Sequence, residues 1–168
     1  MATNRVVNLS GATIEPLGPA EAKATVLIFL GVECPISNRY APELRRLHAR
    51  FTERGVRWWH VYPGPAYSAT AIREHQASYQ LPDCAALDPN LALTRQTGAQ
   101  ITPQAVVYAA DGRLVYRGRI DDRHPDLSVV RPEPTQRDLE RVLEQLLAAQ
   151  PVTYTETRAV GCFIPGLP

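Results

Sequence analysis

The sequence predicts a single α/β domain with parallel strands, a β-hairpin and a C-terminal tail. Three features carry this: a strand–helix–strand succession after Ala24, a hairpin signal at Asp111-Gly112, and an amphipathic helix ahead of Pro151. The run Thr25-Val-Leu-Ile-Phe-Leu-Gly31 is continuously apolar and of strand length, as suits a strand buried on both faces. Tyr40, Leu44, Leu47 and Phe51 then recur at 4, 3 and 4 residues, a helical stripe that Gly55 ends. Val56-Arg-Trp-Trp-His-Val-Tyr62 is the next strand, which makes a βαβ unit and favours parallel pairing through a right-handed crossover. Trp58 and Trp59 alternate faces of it, so at least one belongs to the core.

Pro63-Gly64-Pro65 turns into a second helix from Ser68 to Tyr79, with Ile72 and Tyr79 on one face. A short strand is expected over Cys84 to Leu87, and a brief helix over Leu91 to Gln96. Ala105 to Ala109 and Leu114 to Arg117 form the hairpin around Asp111-Gly112. The last helix opens at Pro134-Thr135, where Thr135 and Asp138 have capping-box spacing, and its buried stripe is Leu139, Val142, Leu143, Leu146 and Leu147. Residues 1–150 are expected to form one domain, and 151–168 an irregular tail carrying Cys162.

Composition narrows the function classes. A length of 168 residues fits one domain, and 45% apolar with 21% charged residues argues against disorder and against a membrane protein. Eighteen Lys plus Arg against 17 Asp plus Glu leave a net charge of +1, with none of the basic excess of a nucleic-acid binder. The longest apolar run, Ala24 to Val32, is far short of a bilayer span. No secretory signal pattern opens the chain, so the expectation is a cytoplasmic protein or the mature form of an exported one, with the balance toward a mature periplasmic form. Cys34, Cys84 and Cys162 lack zinc spacing, His48, His60, His75 and His124 share no ligand spacing, and no metal or organic cofactor is implied.

Chemistry concentrates at Cys34, between a buried strand and a helix start. There free amides and the helix dipole stabilise a thiolate. Arg39 would assist and Glu33 would oppose; a buried Cys behaving as a small hydrophobe is the plain alternative. Cys34-Pro-Ile-Ser37 leads into Asn38-Arg-Tyr-Ala41-Pro42, which places a proline eight residues beyond the cysteine and inside the helix, where a kink must be tolerated. This order resembles the thioredoxin superfamily, in which an apolar strand delivers C-x-x-C to a helix start with Ala-Pro at the same offset. Ile101-Thr102-Pro103-Gln104 resembles its cis-proline loop, which faces the active cysteine and pairs with substrate backbone. The run from Asp88-Pro-Asn to Asp111-Gly-Arg is similar to the redoxin or AhpC/TSA-like branch, and the likeness covers residues 24 to 149.

The resemblance implies a three-layer α/β/α sandwich with a central mixed sheet, and a thiol-disulfide oxidoreductase acting on protein or small-molecule thiols and disulfides. Cys34 would be its nucleophile, Thr102 and Pro103 would position substrate, and Ser37 would donate a hydrogen bond to the sulfur. Departures are evident. Ser37 replaces the second cysteine, Glu33 the usual tryptophan, and Ile28 a buried carboxylate. The peroxiredoxin pattern would need Pro at 27 and Ser or Thr at 31, where this chain has Leu27 and Gly31. Val160-Gly-Cys-Phe-Ile164 ends the tail, and a Gly-Cys ending after C-P-I-S is similar to a bacterial group of redoxin-domain proteins. Three roles stay open for Cys162: resolving cysteine, half of a permanent Cys34–Cys162 clip, or uninvolved thiol. A peroxiredoxin-like peroxidase and a non-catalytic binding module are the competing functions. Cys84 is expected to be buried and inert. Arg117 to Arg123 is expected to be a solvated loop, the alternative being that Arg119 or Asp121 tunes the cysteine.

Overall fold

A computed structural model describes residues 5–168. Its strands are β1 (Val6–Val7), β2 (Thr13–Ile14), β3 (Ala24–Phe29), β4 (Val56–Pro63), β5 (Ala85–Asp88), β6 (Ile101–Thr102), β7 (Gln104–Ala109), β8 (Leu114–Gly118), β9 (Thr155–Glu156) and β10 (Cys162–Phe163). The helices are α1 (Pro35–Arg39), α2 (Ala41–Thr52), α3 (Ala69–Tyr79), α4 (Ala92–Thr97) and α5 (Asp138–Leu147). Eight strands make one mixed sheet in the order β2-β1-β5-β4-β3-β7-β8-β9, while β6 and β10 form a separate pair. β3, β4 and β5 run parallel, β7 pairs antiparallel with β3, and β8 pairs antiparallel with β7.

β3 lies at the centre because every one of its residues is buried. Its side chains alternate between two cores, as strand geometry requires. Val26 and Ile28 join Leu44, Leu47 and Phe51 of α2 and Leu139, Val142 and Leu143 of α5 on one face. Leu27 and Phe29 join Leu93 of α4 and Ile164 of the tail on the other. Trp58 belongs to the first core, and Trp59 packs partly buried against the second.

The structure corrects the expected helix starts. Pro42 is not inside one kinked helix; it stands in the first turn of α2, after the chain breaks at Tyr40. Proline has no amide with which to continue α1, and at a helix start none is needed. The last helix opens at Asp138, with Arg137 as an N-cap that makes no side-chain cap bond. Thr135 is not its cap, because its amide and hydroxyl both donate to Asp122, whose carboxylate also accepts from the Gln136 amide. Asp138 is used by Arg119 at 2.7 Å and Arg141 at 3.1 Å. The tail is not wholly irregular: β9 pairs with β8, and β10 pairs with β6.

Candidate active site

Cys34 is the N-cap of α1, placed there by the end of β3 and by Pro35 at the first helical position. Its sulfur accepts from the Ser37 amide at 3.5 Å, and its S–H donates to the Thr102 carbonyl at 3.1 Å. The Thr102–Pro103 bond is cis, and it is the Thr102 carbonyl of this loop that faces the Cys34 sulfur. Gly31 fits the crowding here. A Cβ on it would lie 3.1 Å from both Cys34 Cβ and Thr102 Oγ1.

Cys162 arrives from the opposite direction. β10 pairs antiparallel with β6, with Cys162 opposite Thr102 and Phe163 opposite Ile101. This register brings the thiols of Cys34 and Cys162 into hydrogen-bonding reach. Burial pushes the Cys34 thiol up, but hydrogen bonds from Cys162, Ser37 and Thr102 outweigh it and hold the thiol below its ordinary value. Cys162 is pushed up to about 11, by burial first and then by the hydrogen bond and negative charge of Cys34. The pair is therefore asymmetric, with one sulfur poised to ionise and the other held as a thiol.

A hydrogen-bonded chain fixes the loop that carries Cys34. The Asn38 side-chain amide donates to the Val32 carbonyl at 3.1 Å, and its Oδ1 lies 2.7 Å from His75 Nε2. His75 Nδ1 in turn lies 3.0 Å from the Tyr62 hydroxyl. These partners assign the proton of His75 to Nε2, and burial lowers its pKa so that the ring stays neutral. Nothing in the sequence pointed to this trio, because Asn38 and His75 are 37 residues apart.

Other residues fall outside the site. Asp121 is buried and accepts from the Tyr40 hydroxyl at 2.6 Å, while Arg119 pairs with Asp138; neither is among the groups that shift Cys34. Cys84 is partly buried, and burial raises its thiol to about 12, which fits an inert residue. Ile28, at the position where the resemblance would have a carboxylate, is fully buried among apolar neighbours. Among the described residues no group of acidic, His and Cys side chains could hold a metal ion, and no helix is long and apolar enough to cross a membrane.

Comparison with known proteins fits this architecture. No curated protein sequence matches the chain. An uncharacterized conserved protein from Geobacillus kaustophilus superposes with a TM-score of 0.83 at 23% identity, covering 98% of this chain and 88% of the other. A hypothetical protein from Sinorhizobium meliloti gives 0.80 at 20% identity, over 95% of this chain and 88% of that one. A secreted disulfide oxidoreductase from Mycobacterium tuberculosis gives 0.58 at 21% identity, over 86% and 94%. These likenesses establish the thioredoxin-like fold. The Redoxin family model matches residues 6–132, from the first strand past the cysteine, the cis-proline loop and the hairpin, and the chain belongs to the Redoxin family.

Proposed function

We propose that the protein is a two-cysteine thiol-disulfide oxidoreductase in which Cys34 attacks and Cys162 resolves. The observation that carries this reading is the β6–β10 register, which sets Cys162 opposite the residue whose carbonyl receives the Cys34 S–H. The Cys34 thiolate attacks a disulfide RSSR, forming the Cys34–S–S–R bond and releasing RS⁻. That leaving thiolate takes the proton of Cys162, whose sulfur then attacks the Cys34 sulfur. The internal disulfide forms and the second RS⁻ departs, so the dithiol loses two electrons and RSSR gains them. Run backwards, the same steps reduce the internal bond. Ser37 cannot resolve, but its amide steadies the sulfur at 3.5 Å. Thr102 stands beside both cysteines, its carbonyl accepting from Cys34 and its backbone pairing opposite Cys162, and with Pro103 it would position the substrate.

Disulfide mapping by peptide mass across glutathione redox buffers tests this. A Cys34–Cys162 bond that opens and closes between about −150 and −300 mV supports a working pair. A bond resistant throughout that range makes it a structural clip. Cys34 accumulating glutathione without passing it to Cys162 makes the protein a monothiol.

A further inference from the structure

Cys34 and Cys162 both line one pocket of about 230 Å³, whose other lining residues include Glu33, Pro63, Tyr67 and Phe163. That is below the roughly 300–1,000 Å³ of pockets that enclose drug-sized ligands. Phe163 is 82% exposed, far more than any other large apolar side chain of the tail.

A polypeptide substrate is gripped in extended form by pairing its backbone with a strand edge. The strand beside Cys34 is β6, since the Thr102 carbonyl lies 3.1 Å from the sulfur. β10 is already paired there, and the pairing continues where the Ile164 amide donates to the Gln100 carbonyl at 2.9 Å. The fit is close, because a Cβ on Gly161 would lie 2.0 Å from the Thr102 carbonyl oxygen. Ile164, 4% exposed, anchors the strand in the second core. The chain's own tail thus occupies the place an incoming peptide would take.

What can still enter is decided by the rim. Glu33 is the one Asp, Glu, Lys or Arg that lines the pocket, and the rings of Tyr67 and Phe163 line it as well. A carboxylate beside aromatic rings attracts a cation and repels an anion. We infer that β10 is a built-in occupant of the polypeptide edge and that the cysteine pair exchanges with small, amine-bearing disulfides in preference to polypeptide or acidic ones. This rests on the two-cysteine reading. The chemistry is the exchange already written, with RSSR a low-molecular-weight diamine disulfide that ends as two amine thiols while the protein dithiol becomes the Cys34–Cys162 disulfide.

The test mixes the reduced full chain with cystamine, glutathione disulfide, or a neutral peptide whose cysteine is capped as a methyl disulfide. Each rate of internal disulfide formation is divided by that reagent's rate with dithiothreitol. The expected normalised rate for cystamine exceeds both others by at least about tenfold, and the excess shrinks with salt. Glu33→Gln should bring glutathione disulfide several-fold closer to cystamine. Gly161→Val crowds the Thr102 carbonyl and lifts the strand that also carries Cys162, so its peptide rate is read as the mixed disulfide formed on Cys34, and that rate should rise; Ile164→Ala, read the same way, loosens the same strand more gently if the first variant does not fold. A wild-type peptide rate equal to that of cystamine overturns the occupied edge, and an equal glutathione disulfide rate overturns the role of Glu33. In both cases the internal bond still forms and the two-cysteine reading survives. If no reagent produces that bond, the two-cysteine reading fails and takes this inference with it.

Discussion

Burial and hydrogen bonding pull the Cys34 thiol in opposite directions, and Cys162 is first among the hydrogen-bonding partners that tip the balance. Removing that donor should therefore be visible in the acid–base behaviour of Cys34. In Cys162→Ala the pH midpoint for iodoacetamide labelling of Cys34 should move up, while Cys162→Ser, which keeps a donor, should stay nearer the wild type. Mass spectrometry of the labelled peptide reads this directly. At neutral pH the wild type should label at Cys34 well before Cys84 or Cys162, whose thiols sit at about 12 and about 11. Linkage gives the two cysteines opposite signs. Cys34, lowered in the folded state, contributes stability that is present above its unfolded pKa and lost as pH falls through the folded value. Cys162, raised, contributes stability below its unfolded pKa that is lost as pH rises toward about 11.

At the scale of elements, the break between α1 and α2 shows how a local rule depends on where a helix starts. A proline inside a helix costs about 3 kcal/mol, whereas one in the first turn costs little. Pro42→Ala should accordingly leave the urea midpoint within about 1 kcal/mol of wild type. Leu44→Ala, one residue pair further along and fully buried, should cost about 2–5 kcal/mol through the cavity it leaves. α4 depends on a different device. Leu91 at its N-cap makes no side-chain cap bond, and Asp88 supplies the missing acceptors instead. Its carboxylate takes the Ala92 amide at 2.9 Å and both the amide and hydroxyl of Thr94 at 2.7 Å. Asp88→Ala should lower stability by about 1–3 kcal/mol in urea denaturation, because buried donors lose their partner.

For the whole molecule, the tail is the part that joins distant pieces. It adds β9 to the edge of the main sheet and β10 to β6, and it sends Ile164 into the core opposite α2 and α5. Oxidation would turn this contact into a covalent link spanning 162 − 34 = 128 residues. In the chain-entropy account such a link disfavours the unfolded chain by roughly 5 kcal/mol. The oxidised protein should therefore unfold at a distinctly higher urea concentration than the reduced one. Cys34→Ser should unfold at the same urea concentration with and without oxidant. A midpoint in the wild type that ignores oxidant would mean that the bond does not form.

Much of the frame was legible in sequence because it rests on local, repeated signals. The apolar run of β3, the stripe Tyr40, Leu44, Leu47 and Phe51, and the Asp111-Gly112 turn each carry their periodicity or turn chemistry within a few residues. Cys34 and the Thr102-Pro103 loop were found through motif order, which also survives in one dimension. The two-residue strands β1, β2, β6, β9 and β10 were not legible as strands, since so short a segment has no period of its own and becomes a strand only when an edge receives it. The start of α5 failed for a related reason: Thr135 has a capping residue's chemistry, but Asp122, 13 positions away, claims its amide. The same holds at the site. Sequence supplied the thiols, but only tertiary pairing decided that Cys162 stands opposite Thr102, because a contact between residues so far apart in the chain depends on where the tail finds an open edge.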